Sequence, residues 1–436
     1  MMRFAPPRWP GRRKDPGAPA PASAALHAHL LGTAPLLERI LLENLIPFWH
    51  PRVLDRRHGG YHLNHGPDGR SLGPAPKSLV ANARCLWFFS RMARGGYRAD
   101  EMLAAARHGH DFLVSSFLDD RHGGFFWQVA EDGSRPLDLT KHQYGQAFAI
   151  YALAEYALVS GSPAAAAIAE ETAEVVESRL RDADGGGYWD RLEGDWKPGR
   201  IEPARTRSAA GGKYLNPMLH LLEAYITLAE ARPGSVAAAR LPELLLICGS
   251  SVVRKQAGSA TDAHRADWSP VLDADGARIS YGHDLELIHL LIRGAEACGI
   301  PPLVLADLFR SLLANARRFG EDTKSGGFHS SGPIGRRADR REKIWWVQAE
   351  AMLGALEMYR ITGEEAPADA FLATLRWIES YQVDWVHGEW HAFVSSRGRA
   401  NGRKADAWKG PYHTGRAVIQ SLEVLKLLRG GGPSSA

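Results

Sequence analysis

The chain has 436 residues, 45% hydrophobic and 23% charged, a balance that suits a water-facing protein with a large core. Its net charge of +4 comes from the first residues, where Arg3, Arg8, Arg12, Arg13 and Lys14 stand against Asp15. The remaining body is neutral, which removes the electrostatic footprint of nucleic-acid binding, and no long unbroken apolar run predicts a membrane span.

Residues 1–24, rich in Pro and Ala, lack the apolar core of a signal peptide and are expected to be a disordered basic tail. Residues 25–430 are expected to form a single catalytic domain. Apolar periodicity predicts a first helix over 26–47, and the Gly59-Gly60-Tyr61 element follows it. After an Asp68-Gly69 turn comes a second helix over 77–95. This order then repeats. Gly123-Gly124-Phe125, Gly186-Gly187-Tyr188, Gly326-Gly327-Phe328 and the looser Gly388-Glu389-Trp390 fall at near-equal spacing, with one double interval. A degenerate copy around Trp268 is expected to fill that interval, which makes six repeats.

The first helices of the later repeats fall at 101–118, 163–182, 235–255, 301–318 and 367–381 and carry a one-sided apolar stripe. The second helices, at 141–160, 213–232, 281–298, 341–360 and 411–428, are apolar nearly all round, as expected of helices covered on both sides. Alternating outer and inner helices predict an all-α, closed (α/α)6 barrel with short β-hairpins at one rim. An open solenoid would need polar end caps that the sequence lacks. Pro198–Gly212 is a lid candidate, and 256–280 and 395–407 are similar polar inserts. Cys85, Cys248 and Cys298 lie in helical apolar stretches and are expected to be buried thiols, which fits a reducing, cytoplasmic compartment.

Polar and aromatic residues interrupt the inner helices once per repeat, near each start: Arg84; Tyr144; Asn216, His220 and Glu223; His283 and Glu286; Trp345, Trp346, Gln348 and Glu350; Trp408, His413 and Arg416. Inner helices running the same way would gather these residues at one mouth, together with six helix N-termini that favour developing anions. Glu286 follows His283 by three residues and is expected to orient it, as proton transfer requires. Asn216, His220 and Glu223 share one helix face.

At these residues the chain resembles the N-acylglucosamine 2-epimerase family, and within it the cellobiose 2-epimerase branch. The matching stretches are Asn82-Ala-Arg84-Cys-Leu-Trp87, Tyr144-Gly-Gln-Ala-Phe-Ala-Ile-Tyr151, Asn216-Pro-Met-Leu-His220-Leu-Leu-Glu223, Gly282-His283-Asp-Leu-Glu286, Trp345-Trp-Val-Gln-Ala-Glu350 and Trp408-Lys-Gly-Pro-Tyr-His413. The resemblance implies an (α/α)6 barrel that opens a reducing sugar, removes the proton beside the aldehyde to give a cis-enediolate, and returns a proton to the opposite face. It implies that His283 and His413 carry the proton, that Arg84 faces the enediolate oxygens, and that His220 assists ring opening. Tyr144, Asn216, Trp346, Trp408, Glu223 and Glu350 are expected to bind substrate, with Glu350 also a candidate partner of His413. The expected substrate is a disaccharide such as cellobiose or mannobiose. The rivals are an aldose–ketose isomerase or an N-acylglucosamine 2-epimerase on the same scaffold, then a glycoside hydrolase, then a non-catalytic sugar-binding protein. No HExxH, paired CxxC or Asp-rich loop is present, so no metal and no cofactor is expected. The expected partner is a small sugar, with neither nucleic acid nor membrane, and the chain is expected to be a monomer or homodimer.

Overall fold

A computed structural model describes residues 20–198, 212–273 and 276–430. The basic tail up to residue 19 and nearly all of the 198–212 lid candidate lie outside the described residues. Ala20 to Ser23, expected within the tail, instead join the fold. The Ala22 N–H donates to Gly363 O at 2.8 Å, and Ala20 O accepts from Glu365 N at 2.9 Å.

Inner helices span Leu79–Arg94, Gln143–Ser160, Leu215–Ala231, Tyr281–Ala297, Trp345–Thr362 and Tyr412–Gly430, called here the first to the sixth. Each packs on the next, and the sixth packs back on the first, so the ring closes. The closure is tight: the Trp87 and Tyr412 rings lie 5.5 Å apart, and a side chain at Gly415 would run into Phe88. This ring, rather than an open solenoid, explains why the inner helices need no polar face. Tyr281–Ala297 buries almost every residue. The outer helices alternate with them; Ala306–Phe319 buries Phe309, Leu312, Leu313 and Ala316 and turns its charges outward. The fold is the expected (α/α)6 barrel.

The short strands sit at the rim from which the inner helices start, and they pair across repeats. Lys77–Ser78 pairs with Gln128–Val129, Lys141–His142 with Arg191–Leu192, Lys213–Tyr214 with Ala263–His264, Arg278–Ser280 with Ser331–Pro333, and Lys343–Ile344 with Phe393–Val394. A bridge between His65 and Ala405 joins the last repeat to the first. A buried ion pair fastens this belt in four repeats: Asp55–Lys77, Asp119–Lys141, Asp182–Lys213 and Asp322–Lys343, at 2.7–2.9 Å. Each Lys is the residue two before an inner helix, so the pair ties the Gly-Gly turn to that helix start.

The turns need glycine for two reasons. Gly60 and Gly327 have φ of 66° and 72°, and a Cβ would lie 2.5 Å from the Phe112 ring and 2.8 Å from Trp377, respectively. The degenerate copy is not around Trp268. It is the Val253–Ala260 hairpin, where Ala260 pairs as the aromatic residue does elsewhere and Asp284 accepts from Ser259 Oγ and Ala260 N. Trp268 is the counterpart of Trp196. Both have φ near 65° and donate their indole N–H to a carbonyl of the preceding repeat, Gly185 O and His122 O. Gln348 also has a structural role: its amide accepts from Phe328 N and donates to Phe328 O.

Candidate active site

The common start of the inner helices stacks their side chains in storeys. Tyr144, Asn216, His283, Trp346 and His413 fall on first turns, while Arg84, His220, Glu286, Glu350 and Arg416 fall one turn deeper. All ten belong to one cluster, as expected. Glu223 and His289 lie a further turn down.

Arg84 is buried. It donates from one terminal nitrogen to Trp408 O at 2.9 Å and from the other to Tyr144 Oη at 2.7 Å, with its guanidinium over the Phe148 ring at 4.4 Å. Among the described residues no carboxylate lies within ion-pair distance of it.

His283 and His413 both pack on Trp346, with ring centroids 5.0 and 5.7 Å from the indole. His413 donates from Nδ1 to Glu350 Oε1 at 2.6 Å, the partner expected of it. That bond assigns the ring proton to Nδ1 and leaves Nε2 as the basic nitrogen. Burial lowers the His413 pKa to about 4, against the raising effect of Glu350 and with the help of Arg84, so the ring is neutral at pH 7. His220 is arranged similarly, with Nδ1 at 3.3 Å from Glu223 Oε2 and its ring edge-on to Tyr144 at 5.1 Å. Trp408, 56% exposed, offers an open indole face, and Asp406 fixes its loop by accepting from the Trp408 and Lys409 amides at 2.8 Å. Asn216 is half-buried at the same rim.

Beneath this storey lies a charge hub centred on Arg416, which is wholly buried. It donates to Glu223 Oε1 at 2.6 Å and to Glu286 Oε1 and Tyr412 Oη, and it forms an ion pair with Glu350 Oε2 at 2.7 Å. Burial would raise these carboxyls, but Arg416 together with the neighbouring histidines outweighs it: Glu223 and Glu350 are held well below the usual carboxylate range, and Glu286 is lowered too. Three expectations change accordingly. Glu286 turns Oε1 to Arg416, and its Oε2 accepts no hydrogen bond, so it does not orient His283. Glu223 and Glu350 give their oxygens to Arg416, Tyr412 and the histidines rather than leaving them open at the mouth. The cause in each case is a partner from a different helix, which spacing along one helix cannot reveal.

Sequence reasoning assigned no role to Arg416, Tyr412 or His289. The available signal was a charged or polar residue inside a helix that is otherwise apolar all round. Glu286, His289 and Glu350 stand close enough to share a metal ion, but Arg416 already places its cation between the two carboxylates. Asp55, His58 and Glu131 form a second such group, and there Lys77 occupies Asp55 at 2.7 Å.

Comparison with known proteins agrees with this fold. The family model for N-acylglucosamine 2-epimerase matches residues 59–417. A cellobiose 2-epimerase of Eubacterium cellulosolvens is 32% identical over 88% of this chain and 96% of its own length. The solved cellobiose 2-epimerase of Spirochaeta thermophila superposes with a TM-score of 0.83 at 31% identity, covering 93% of this chain and all of that one. A D-mannose isomerase of Marinomonas mediterranea is 26% identical over 88% of this chain and 96% of its length.

Proposed function

Because the chain belongs to the N-acylglucosamine 2-epimerase family, we propose how its mouth works as a sugar 2-epimerase, and on what. The substrate is a reducing disaccharide with glucose or mannose configuration at C-2, such as cellobiose or mannobiose. The observation that supports this most is a guanidinium without a carboxylate partner beside two imidazoles at one mouth.

His220, backed by Glu223, accepts the anomeric hydroxyl proton as the C1–O5 bond breaks and the C1=O bond forms, and that proton passes on to the departing ring oxygen. One imidazole then takes the C-2 proton; the C–H bonding pair forms the C1=C2 bond, and the carbonyl oxygen becomes an enediolate oxygen facing Arg84. A fixed cation at that point stabilises charge that develops only in the reaction. The other imidazole delivers a proton to the opposite face of C-2, and the electron pair returns to the C1=O bond. His413, neutral with Nε2 free, serves as base in one direction, and His283 serves in the other. Trp408 and Trp346 supply apolar faces for the sugar rings. Hydrolysis would need two carboxylates facing the substrate, whereas Glu223 and Glu350 are bound beneath the mouth.

The aldose–ketose isomerase reading is kept because D-mannose isomerases match most of the chain. It shares every step up to the enediolate and differs in returning the proton to C-1. Incubation with cellobiose, mannose and N-acetylmannosamine in deuterated water, followed by NMR, separates them. Deuterium at an inverted C-2 of cellobiose supports the proposal. A ketose product identifies an isomerase, inversion of N-acetylmannosamine alone identifies the N-acyl reading, and free glucose refutes epimerisation in favour of hydrolysis.

A further inference from the structure

His289 lies on the fourth inner helix, two turns below its start, and takes no part in the steps above. Its ring is wholly buried, with Nε2 2.8 Å from Glu350 Oε2. Its Nδ1 is also buried and has no hydrogen-bond partner. An imidazolium here would leave an N–H unsatisfied in the interior, whereas a neutral ring protonated at Nε2 satisfies the carboxylate and buries only a bare lone pair. His289 therefore donates to Glu350.

Glu350 thus accepts from two imidazoles, His289 on Oε2 and the His413 Nδ1–H on Oε1, and its Oε2 also pairs with the Arg416 guanidinium at 2.7 Å. His289 reaches it from the fourth inner helix and His413 and Arg416 from the sixth, so both carboxylate oxygens are held. We propose that His289 is a positioning residue which, through Glu350, sets the tautomer and the basicity of His413. The role of His413 in this statement rests on the proposed function; the coupling itself does not.

The direction of the effect follows from charge. Each donor on Oε2 draws electron density away from Oε1. Removing the His289 donor leaves more negative charge facing Nδ1 of His413, which favours its protonated form. The other titratable and charged groups around His413 are Arg416 and Tyr412 on its own helix, Glu350 on the fifth, Glu286 and His283 on the fourth, His220 and Glu223 on the third, Tyr144 on the second and Arg84 on the first. A change confined to His289 leaves all of these in place.

The test uses histidine-labelled protein in the absence of sugar. Imidazole ¹⁵N shifts of wild-type His289 should report a bare Nδ1 and a protonated Nε2; a charged ring or the opposite tautomer overturns the proposal. The His413 Cε1–H signal, identified by its loss in His413→Asn, is then titrated in His289→Asn, which is too short to reach Glu350, and in His289→Gln, whose amide N–H can replace Nε2–H. The Asn variant should raise the His413 midpoint by on the order of one pH unit, and the Gln variant should restore it. With cellobiose, the acid limb of kcat/KM should move the same way in Asn and stay in Gln, while KM changes little. Equal midpoints in folded Asn variant and wild type overturn the proposal, as do equal shifts in Asn and Gln. His289→Met, which fills the space without a donor, replaces Asn if that variant does not fold. A wild-type protein that turns over no sugar would refute the proposed function while leaving the titration to decide the coupling.

Discussion

Replacing Arg416 by Met removes a single cation and strands three buried carboxylates. The guanidinium bonds Glu223 at 2.6 Å and Glu350 at 2.7 Å and also reaches Glu286, all at positions almost without solvent exposure. Breaking one buried ion pair by deleting a partner costs about 3–5 kcal/mol, because the surviving charge is left uncompensated in the interior. Against a total stability of about 5–15 kcal/mol, that loss should be plain in a thermal scan. Its pH dependence separates charge from packing. In the wild type, Arg416 and the neighbouring histidines hold the three carboxyls below their unfolded values, so their contribution is present above the unfolded pKa of about 4.3 and is lost as pH falls through the folded value. In the Met variant only the neighbouring histidines and Tyr412 oppose burial, so the folded values rise and the carboxylates lose stability at neutral pH. That penalty is relieved as protons bind on acidification. The gap between wild type and Arg416→Met should therefore be widest at pH 8 and narrow toward pH 5. A gap of the same size at both pH values would refute the hub as an electrostatic device and reduce Arg416 to a filler of space.

Arg84→Met should behave in the opposite way, since it orphans no carboxylate: kcat should fall about 10²–10³-fold in a coupled sugar assay, with little change in the unfolding midpoint. Trp408→Ala removes an exposed stacking face; KM for a disaccharide should rise by the equivalent of about 0.5–1.5 kcal/mol, and thermal stability should not change. Gly327→Ala puts a Cβ 2.8 Å from the Trp377 ring at a φ of 72° and should cost about 1–3 kcal/mol in chemical denaturation.

The architecture was legible because burial writes itself into periodicity. A helix covered on both sides, such as Tyr281–Ala297, loses its polar stripe, whereas Ala306–Phe319 keeps one. The fourth turn was misplaced because Gly258-Ser259-Ala260 lacks the glycine pair and the aromatic, while Trp268 imitates one. The mouth was legible as a set of residues but not as a set of partners. Glu286 and His283 are neighbours by helical spacing, yet Glu286 answers to Arg416 from the far side of the ring. His289 passed unnoticed because a histidine in an apolar helix carries no mark of what it touches. Pairings along one helix are local and can be read; pairings across the barrel are set by closure of the ring.

The central claim is that two imidazoles work from opposite faces of one carbon. Cellobiose carrying deuterium at C-2 of its reducing sugar, epimerised in ordinary water at low conversion, tests it most directly. The inverted product should have lost its label to solvent hydrogen, and His283→Asn and His413→Asn should each stop inversion. Inverted product that retains the deuterium would mean that one group lifts and returns the same hydrogen, and would contradict the account.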